Sequence, residues 1–245
     1  MRIYKNRITF TIAGLKIKLL KNDHLMQDFL IPLASLSYEL MNNRVKSIFE
    51  SEAEAIINIP AGESYDKVTE IIYRHVHLNN GKLITSGMGK AGQIAHNIAT
   101  TFSSTGTPAI FLHPSEAQHG DLGIIQSNDV LLAVSNSGKT REIVELIELK
   151  NKLYPSIPVI VITGNINSPL ALKADIFIST GSPSEVCPLG LTPTTSTTVF
   201  TVIGDALVVL MMEKIGFSAE DYAKRHHGGY LGAKSRREST KLKTK

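Results

Sequence analysis

The sequence LITSGMGKAG, residues 83–92, is the strongest indication of the fold of this chain. A short apolar run leads directly into glycines and then into residues of helical character, which is the order strand, glycine loop, helix. Four more β-rich runs follow near residues 109–112, 130–134, 159–162 and 176–178, and helical stretches separate most of them. Apolar strands that alternate with helices predict a parallel sheet covered on both faces. We therefore predict an α/β fold, a three-layer αβα sandwich around a central five-stranded parallel sheet.

The composition is that of a globular protein. The chain has 245 residues, of which 42% are hydrophobic and 20% charged, enough to bury a sizeable core. The single Cys187 excludes an internal disulfide, so we expect a reducing, cytoplasmic setting. Membrane spans need about 18 consecutive apolar residues, and the run at 199–212 is interrupted by Gly204 and Asp205. This run predicts a buried core helix, and no membrane association is expected.

The positive charge lies at the two ends of the chain. Residues 1–25 and 234–245 each hold six Lys or Arg and one acid, a net charge of +5 for each segment. Because the whole chain carries +4, the part between them carries −6. An acidic body disfavours nucleic-acid binding. We predict a basic N-terminal extension of uncertain order over 1–25, one domain over 26–233 and a solvated basic tail over 234–245, with helices near 27–58 and 64–79.

The glycine loop has the pattern G-x-G-x-x-G of a dinucleotide site. That pattern is incomplete as a nicotinamide site, because the next strand ends at Phe111-Leu112-His113 instead of at an acidic residue. Glycines let a ligand approach the backbone, and the helix that follows directs N–H groups at it. We predict a small phosphorylated ligand at Ser86, Gly87 and Gly89. A dinucleotide site and a purely structural turn remain alternatives.

Two further loops are rich in hydroxyl groups. The sequence SNSGKT, residues 135–140, ends like a P-loop but has Ala133 where that motif requires glycine. Hydroxyls at a helix N-terminus suit a single phosphate, although ordinary helix capping by Ser137 or Thr140 is an alternative. The sequence TPTTSTT, residues 192–198, precedes the apolar helix and is expected to serve the same phosphate. The predicted ligands in these loops are Ser135, Asn136, Ser137, Thr140, Thr194, Thr195 and Ser196.

Titratable residues between these loops favour acid–base chemistry. His119 follows a strand, Glu142 lies in the first turn after the second loop, and His226 stands beside His227 near the C-terminus. Metal-ligand spacings such as H-E-x-x-H are absent from the sequence, as is the G-x-S-x-G nucleophile pattern. We therefore predict neither a metal site nor a cofactor.

Six motifs occur in an order and spacing that resemble one enzyme family: GMGKAG (87–92), STGTP (104–108), HPSEAQHGDLG (113–123), SNSG (135–138), CPLGL (187–191) and GDAL (204–207). Together they resemble the arabinose 5-phosphate isomerases, sugar isomerase (SIS) domain enzymes of bacterial Kdo synthesis. The resemblance implies a Rossmann-like SIS fold and the interconversion of D-ribulose 5-phosphate and D-arabinose 5-phosphate through a cis-enediol, without a cofactor. It also implies that catalysis uses Lys90, His119, Glu142 and His226.

The resemblance suggests roles for these four residues. Glu142 would be the base at carbon, with His226 as its rival, His119 would assist ring opening or oxygen-proton transfer, and Lys90 would stabilise the enediolate. It also favours a homotetramer in which a neighbouring subunit supplies His226. Family members commonly carry a pair of regulatory domains after the isomerase domain; the chain resembles a form without them, so we expect feedback by a product such as CMP-Kdo at the active site. Another SIS-fold phosphosugar isomerase and a non-catalytic sugar-phosphate sensor remain alternatives.

Overall fold

The chain divides into two compact units. A computed structural model describes the backbone of residues 2–4, 7–12, 15–20 and 31–243, and the side chains of residues 36–237 and 240. The units are Met1–Ser51 and Glu52–Lys245. The predicted domain boundary at residues 25 and 26 lies outside the described residues.

The N-terminal unit contains a small sheet that the sequence analysis missed. Strands β1 (Arg2–Tyr4), β2 (Arg7–Ile12) and β3 (Leu15–Leu20) pair antiparallel in that order. The unit also holds most of helix α1 (Ile31–Ile57), which agrees with the helix predicted near 27–58.

The second unit is built on the predicted parallel sheet. Its strands are β4 (Leu83–Gly87), β5 (Ala109–Phe111), β6 (Val130–Val134), β7 (Val159–Thr163) and β8 (Ile176–Ser179). All neighbours are parallel, in the order β5-β4-β6-β7-β8. Every residue of β4, β6 and β7 is buried, as expected of strands covered on both faces.

Helices connect and cover these strands. They are α2 (Glu63–Ile72), α3 (Gly89–Ser104), α4 (Pro114–Ala117), α5 (Arg141–Leu153), α6 (Pro169–Lys173), α7 (Thr195–Ile215), α8 (Ala219–Arg225) and α9 (Gly229–Lys243). A π-helical segment, Tyr73–Leu78, continues α2 and completes the helix predicted near 64–79. Residues 234–243, predicted as a solvated tail, belong to α9; among the side chains described there, Ser235 is buried and Lys234, Arg236, Arg237 and Thr240 are exposed.

The core has one half on each face of the sheet. Along β6, Leu132 and Val134 belong to one half, which α2, α3 and α7 complete. Leu131 and Ala133 belong to the other half, which includes residues of α5 and α6. Alternate side chains of a strand point to opposite faces, so both faces of the sheet are covered. The three-layer αβα prediction is confirmed.

Helix α7 is the predicted core helix. Phe200, Ile203 and Leu207 are each 1% exposed and pack in the first half of the core. Among the described residues, α7 is the single helix long and apolar enough to cross a membrane by length and composition, and half of that apolar window is buried in the fold. Gly204 allows a close approach to α3, because an added Cβ would lie 2.5 Å from Ile98 Cγ1.

Candidate active site

The first two predicted loops leave the sheet side by side. Gly87, the last residue of β4, pairs with Val134, the last residue of β6. The chain passes from β4 to β5 on one side of β4, whereas β6 lies on the other side. The strand order therefore reverses at this point, and ligands of open α/β sheets bind beyond the carboxyl ends of the strands at such a reversal.

The glycine loop brings the backbone of α3 close to β4. An added Cβ at Gly92 would lie 2.5 Å from the carbonyl oxygen of Gly87, and Gly89 has a positive φ of 57°. The Ncap residue Met88 makes no side-chain capping hydrogen bond, and Lys90 is exposed in the first turn of the helix. This leaves the N-terminal end of α3 facing the crevice without a side-chain cap.

Ser86, which we predicted as a phosphate ligand, has a partner inside the fold. Its side chain is fully buried, and its hydroxyl donates to the carbonyl oxygen of Leu112 at 2.7 Å. This hydrogen bond joins β4 to the residue that follows β5. The structure therefore gives the Ser86 hydroxyl a packing role.

The second loop has paired hydroxyls at the start of α5. Ser135 Oγ lies 2.8 Å from Thr140 Oγ1 and accepts the N–H of Gly138 at 3.2 Å. Thr140 is the Ncap residue of α5 but makes no side-chain capping bond, and the Ser137 hydroxyl accepts the N–H of Lys139. The capping interpretation is therefore not supported by either side chain. Glu142, half-buried, lies in the first turn of the same helix.

The third loop already holds an anion from its own chain. The Glu185 carboxylate accepts the N–H of Thr194 at 2.6 Å, the Thr194 hydroxyl at 2.9 Å and the N–H of Ser196 at 3.3 Å. Partial burial raises the pKa of Glu185, but the hydrogen bonds from Ser196 and Thr194 outweigh this effect and hold the pKa below its ordinary value. The donors that we expected to bind the substrate phosphate are thus directed at Glu185.

Thr195 is also engaged within the fold. Its buried hydroxyl donates to Glu52 Oε1 at 2.9 Å and accepts the N–H of Val186 at 3.2 Å. To bind a phosphate, Thr194, Thr195 and Ser196 would have to break these hydrogen bonds within the fold and form new ones to the ligand. Sequence analysis did not identify Glu185, because a carboxylate nine residues before the N-cap residue Thr194 has no local capping pattern.

His119 lies on a segment that contacts both neighbouring loops. Ser115, at the start of α4, contacts the sulfur of Met88 at 3.9 Å. Gln118, the residue before His119, donates to Glu145 Oε2 at 2.8 Å, one turn beyond Glu142. His119 itself is exposed. The structure thus brings the segments of Lys90, His119 and Glu142 to the same end of the sheet.

His226 lies elsewhere in the chain. It follows α8, where its ring stacks on Tyr222 with centroids 3.7 Å apart and its Nδ1 lies 3.0 Å from the Tyr222 carbonyl oxygen. An added Cβ at Gly106, in the turn before β5, would lie 2.9 Å from Phe217, and Arg225 of α8 covers that ring. This places α8 beside the opposite end of the sheet. Helix α7, about 30 Å long, separates the two ends.

A cavity of about 440 Å³ adjoins the glycine loop. Three glycines of the loop line it together with Gln93, His96, Phe111 and His113. The rings of His96 and His113 each meet Phe111 edge to face, and His113 Nδ1 is buried without a hydrogen-bond partner in the described part of the chain. The sequence analysis named His113 at a strand end and within a motif but did not predict it as a site residue.

Comparison with known proteins identifies the family to which this fold belongs. The SIS domain family model matches residues 78–210, which covers the sheet and most of the helices around it. The chain belongs to the SIS domain family. A solved structure from Bacteroides fragilis NCTC 9343, described as a candidate phosphosugar isomerase involved in capsule formation, is 62% identical. It covers 78% of this chain and 99% of its own, with a TM-score of 0.77.

Other members of the family are described by the sugar phosphate that they act on or hold. Arabinose 5-phosphate isomerase KdsD of Pseudomonas aeruginosa is 45% identical over 183 residues, which is 74% of this chain and 54% of the relative. The Yersinia pestis enzyme of the same name is 44% identical over 77% of this chain and 56% of its own. This chain spans about half the length of these relatives. A structure from Escherichia coli CFT073 in complex with arabinose 5-phosphate is 34% identical, covers 80% of this chain and 98% of its own, and has a TM-score of 0.66.

Proposed function

We propose that this chain is an arabinose 5-phosphate isomerase that interconverts D-ribulose 5-phosphate and D-arabinose 5-phosphate through a cis-enediol. The observation that carries the proposal is the crevice where β4 and β6 end, which holds an uncapped helix N-terminus, paired hydroxyls and acid–base groups. Relatives named for this reaction are 44–50% identical to the chain. A relative bound to arabinose 5-phosphate supports the same ligand class.

The chemistry requires a base at carbon and a group that moves oxygen protons. Glu142 is our candidate for the carbon base, because it is half-buried in the first turn of α5 beside the hydroxyls of the second loop. His119 would serve ring opening or oxygen-proton transfer, and Lys90 would stabilise the enediolate by its charge. Gly87, Gly89, Ser135, Asn136, Ser137 and Thr140 would hold the phosphate.

Glu142→Gln tests the proposed base. The variant keeps the size of the side chain and removes the base, so turnover of ribulose 5-phosphate should fall at least about 100-fold while the fold persists. Glu148→Gln is the matched control, because Glu148 lies on the same helix and pairs with Lys173 at the surface. An active Glu142→Gln enzyme would contradict the role. Parallel assays with other pentose and hexose phosphates test the substrate.

We also infer a homotetramer in which a neighbouring subunit supplies His226. The distance between α8 and the carboxyl end of the sheet supports this assignment, because His226 cannot join the crevice of its own chain without moving α8. Suppose that two subunits form two sites, each with Glu142 from one subunit and His226 from the other. In an equal mixture of inactive Glu142→Gln and His226→Ala subunits, half of the pairs are mixed and each mixed pair has one complete site, so about a quarter of the activity should return. Mixing Glu142→Gln with Lys90→Ala is the control, since both groups belong to one chain and no site would be complete. Verified mixed assemblies that stay inactive would contradict sharing.

The proposed setting is the cytoplasm, where the product would supply Kdo synthesis for lipopolysaccharide or capsule. We further propose CMP-Kdo as a feedback ligand at this site, since its carboxylate and phosphate suit Lys90, Lys139 and the helix N-termini. Inhibition would then be competitive with ribulose 5-phosphate. Initial rates at several CMP-Kdo concentrations test this, and a purely noncompetitive pattern or no inhibition would contradict it.

A further inference from the structure

The two ring nitrogens of His113 have different surroundings. Nδ1 is buried and has no hydrogen-bond partner in the described part of the chain. Nε2 also lacks a partner among the described residues, but it reaches the surface of the protein, since the side chain is only half-buried. The residue lies in the wall of the 440 Å³ cavity beside the glycine loop. Nε2 is therefore the nitrogen that is available to a molecule in this cavity.

The backbone holds His113 beside the glycine loop. Thr85 pairs with Phe111 in the register of β4 and β5. The N–H of Leu112 continues this pairing, because it donates to the carbonyl oxygen of Thr85 at 2.9 Å. Two residues further along each strand, His113 stands level with Gly87. The position of the imidazole is thus fixed by the sheet itself, at the carboxyl end where the proposed site lies.

Contacts within the fold restrict the ring and leave Nε2 free for a ligand. His113 is the Ncap residue of α4, yet its side chain makes no capping hydrogen bond. The ring meets Phe111 edge to face, with the centroids 6.2 Å apart and the planes at 74°. Phe111 is half-buried and is held in turn against β4 by the strand register. Among the described residues, no donor or acceptor competes with a ligand for Nε2.

The surroundings of Nδ1 decide which nitrogen carries the proton of the neutral ring. A buried N–H without an acceptor is rare in folded proteins, because the donor loses its hydrogen bonds to water and gains none in return. Buried acceptors that lack a donor are less rare. The proton is therefore assigned to Nε2. In this tautomer His113 presents one N–H donor to the cavity.

We propose that His113 is a substrate-binding residue, which donates Nε2–H to an oxygen of the sugar chain of the bound pentose phosphate. This inference rests on the proposed isomerase function. Gly87 and Gly89 line the cavity and also belong to the proposed phosphate site. A sugar whose phosphate lies at these glycines can therefore extend into the cavity. Its hydroxyl and carbonyl oxygens are acceptors for a neutral donor.

The order of the strands assigns the sugar chain, and not its phosphate, to His113. Strand β4 lies between β5 and β6. The paired hydroxyls of the second loop follow β6, whereas His113 follows β5, so they stand on opposite sides of the glycine loop. Two strand spacings separate them by about 10 Å. A single phosphate cannot bridge that distance, whereas the five-carbon chain attached to it extends from one side toward the other.

This contact should act on binding more than on the chemical step. The proposed acid–base groups are Lys90, His119 and Glu142, and His113 lies apart from them beside the phosphate-binding glycines. A hydrogen bond made equally in the substrate complex and in the transition state lowers KM without raising kcat. Loss of the donor should therefore raise KM about tenfold and change kcat less than about twofold.

Two replacements separate the nitrogens of His113. The amide of glutamine places an N–H near the position of Nε2, whereas the amide of asparagine lies near the position of Nδ1. His113→Asn should raise the KM for ribulose 5-phosphate about tenfold, and His113→Gln should keep it within about threefold of wild type. His96→Asn is the matched control, because its imidazole also meets Phe111 edge to face but is exposed. It should leave KM unchanged.

Inorganic phosphate separates the two ends of the ligand. Phosphate alone does not reach His113, so it should raise the melting temperature of wild type and His113→Asn equally. Arabinose 5-phosphate should raise the melting temperature of His113→Asn less than that of wild type, because the variant binds the sugar more weakly. Equal protection of both proteins by arabinose 5-phosphate would overturn the proposal.

Nuclear magnetic resonance tests the position of the proton without any substrate. Two-dimensional proton–nitrogen spectra of protein labelled with nitrogen-15 histidine distinguish the protonated ring nitrogen from the unprotonated one. The signal that His113→Gln removes belongs to His113. The expected spectrum of the neutral ring has the proton on Nε2. A proton on Nδ1 would overturn the proposal.

The kinetic results can contradict the proposal in three ways. His113→Asn could keep the wild-type KM, both replacements of His113 could raise KM equally, or His96→Asn could raise KM as much as His113→Asn. The last result would assign the effect to the packing of Phe111. In each case an active wild-type enzyme leaves the proposed function standing. A wild-type chain that does not convert ribulose 5-phosphate would instead refute the proposed function, and the sugar contact with it.

Discussion

Glu185 offers a sharp test of the structure, because one carboxylate holds the start of the core helix α7. Replacement by glutamine keeps the shape of the side chain and removes its charge. Hydrogen bonds to a charged acceptor contribute roughly 1.5–3 kcal/mol each, against about 0.5–1.5 kcal/mol for neutral ones. A negative charge at a helix N-terminus adds about 0.3–1 kcal/mol. With three donors between 2.6 and 3.3 Å and partial exposure, we expect Glu185→Gln to lower the free energy of unfolding by about 2 kcal/mol at pH 7.

The effect of Glu185→Gln should depend on pH in a defined direction. The pKa of Glu185 in the folded protein lies below its ordinary value of 4.5, so the folded state binds this proton less readily than the unfolded state. The stabilisation is therefore fully present above about pH 5.5, one unit above the ordinary pKa, and is lost as the pH falls through the folded-state pKa. The stability difference between wild type and variant should be constant above about pH 5.5 and narrow below that value.

Urea unfolding followed by circular dichroism measures both effects. Glu54→Gln is the control, since Glu54 is an exposed carboxylate on α1 in the same unit. Equal stability of Glu185→Gln and wild type, or a difference that persists unchanged down to about pH 4, would refute the interpretation of Glu185 as the anion that caps α7. A large loss of turnover with unchanged stability would instead assign Glu185 to the substrate.

Three other outcomes follow from particular contacts. Gly204→Ala should destabilise the fold by about 1–2 kcal/mol in urea unfolding, because the new Cβ overlaps Ile98, and Ile98→Ala should cost less in that variant than in wild type. Ser86→Ala should cost about 1–2 kcal/mol, because the buried Leu112 carbonyl oxygen loses a donor; a drop in turnover at unchanged stability would contradict the packing role. Deleting residues 1–25 removes the small sheet β1–β3, which belongs to a compact unit distinct from Glu52–Lys245, so the melting temperature of the isomerase unit and its activity should stay unchanged; insoluble protein would contradict this.

The central sheet could be predicted because its strands are apolar on both faces. Val130–Val134 is buried at every position, so its sequence has no polar alternation that could be confused with an amphipathic helix. The N-terminal sheet was missed, although apolar and polar residues alternate along β2 and β3, as is typical of strands with one exposed face. Ile8, Phe10 and Ile12 alternate with threonine, and Lys16 and Lys18 alternate with apolar residues. The high positive charge of residues 1–25 led us to interpret them as an extension, and the alternation typical of strands was overlooked.

The candidate site was harder to predict, because hydroxyl groups indicate an anion without saying which anion. In the second loop, Ser135 and Thr140 form a hydrogen bond with each other at the start of α5, and no group of the chain takes the place of the expected ligand among the contacts described there. Ligand binding by this loop stays a prediction. In the third loop the anion is Glu185, which the fold brings back over the helix N-terminus from beyond β8. A tertiary contact of this kind leaves no local pattern, so sequence reasoning assigned its donors to the substrate.

The proposed roles of the four candidate catalytic residues would link catalysis to assembly through the geometry of the chain. The segments of Lys90, His119 and Glu142 lie at the carboxyl end of the sheet, because β4, β5 and β6 all end there and their loops contact one another. Helix α7 runs from the carboxyl end of the sheet toward the opposite end, and His226 follows α8, which comes next. The fold therefore places His226 far from the other three residues. A site that uses all four is then complete only in an oligomer. Dilution below the dissociation constant of the assembly should accordingly abolish turnover without unfolding the domain, and activity that persists in a proven monomer would show that His226 has no part in the reaction.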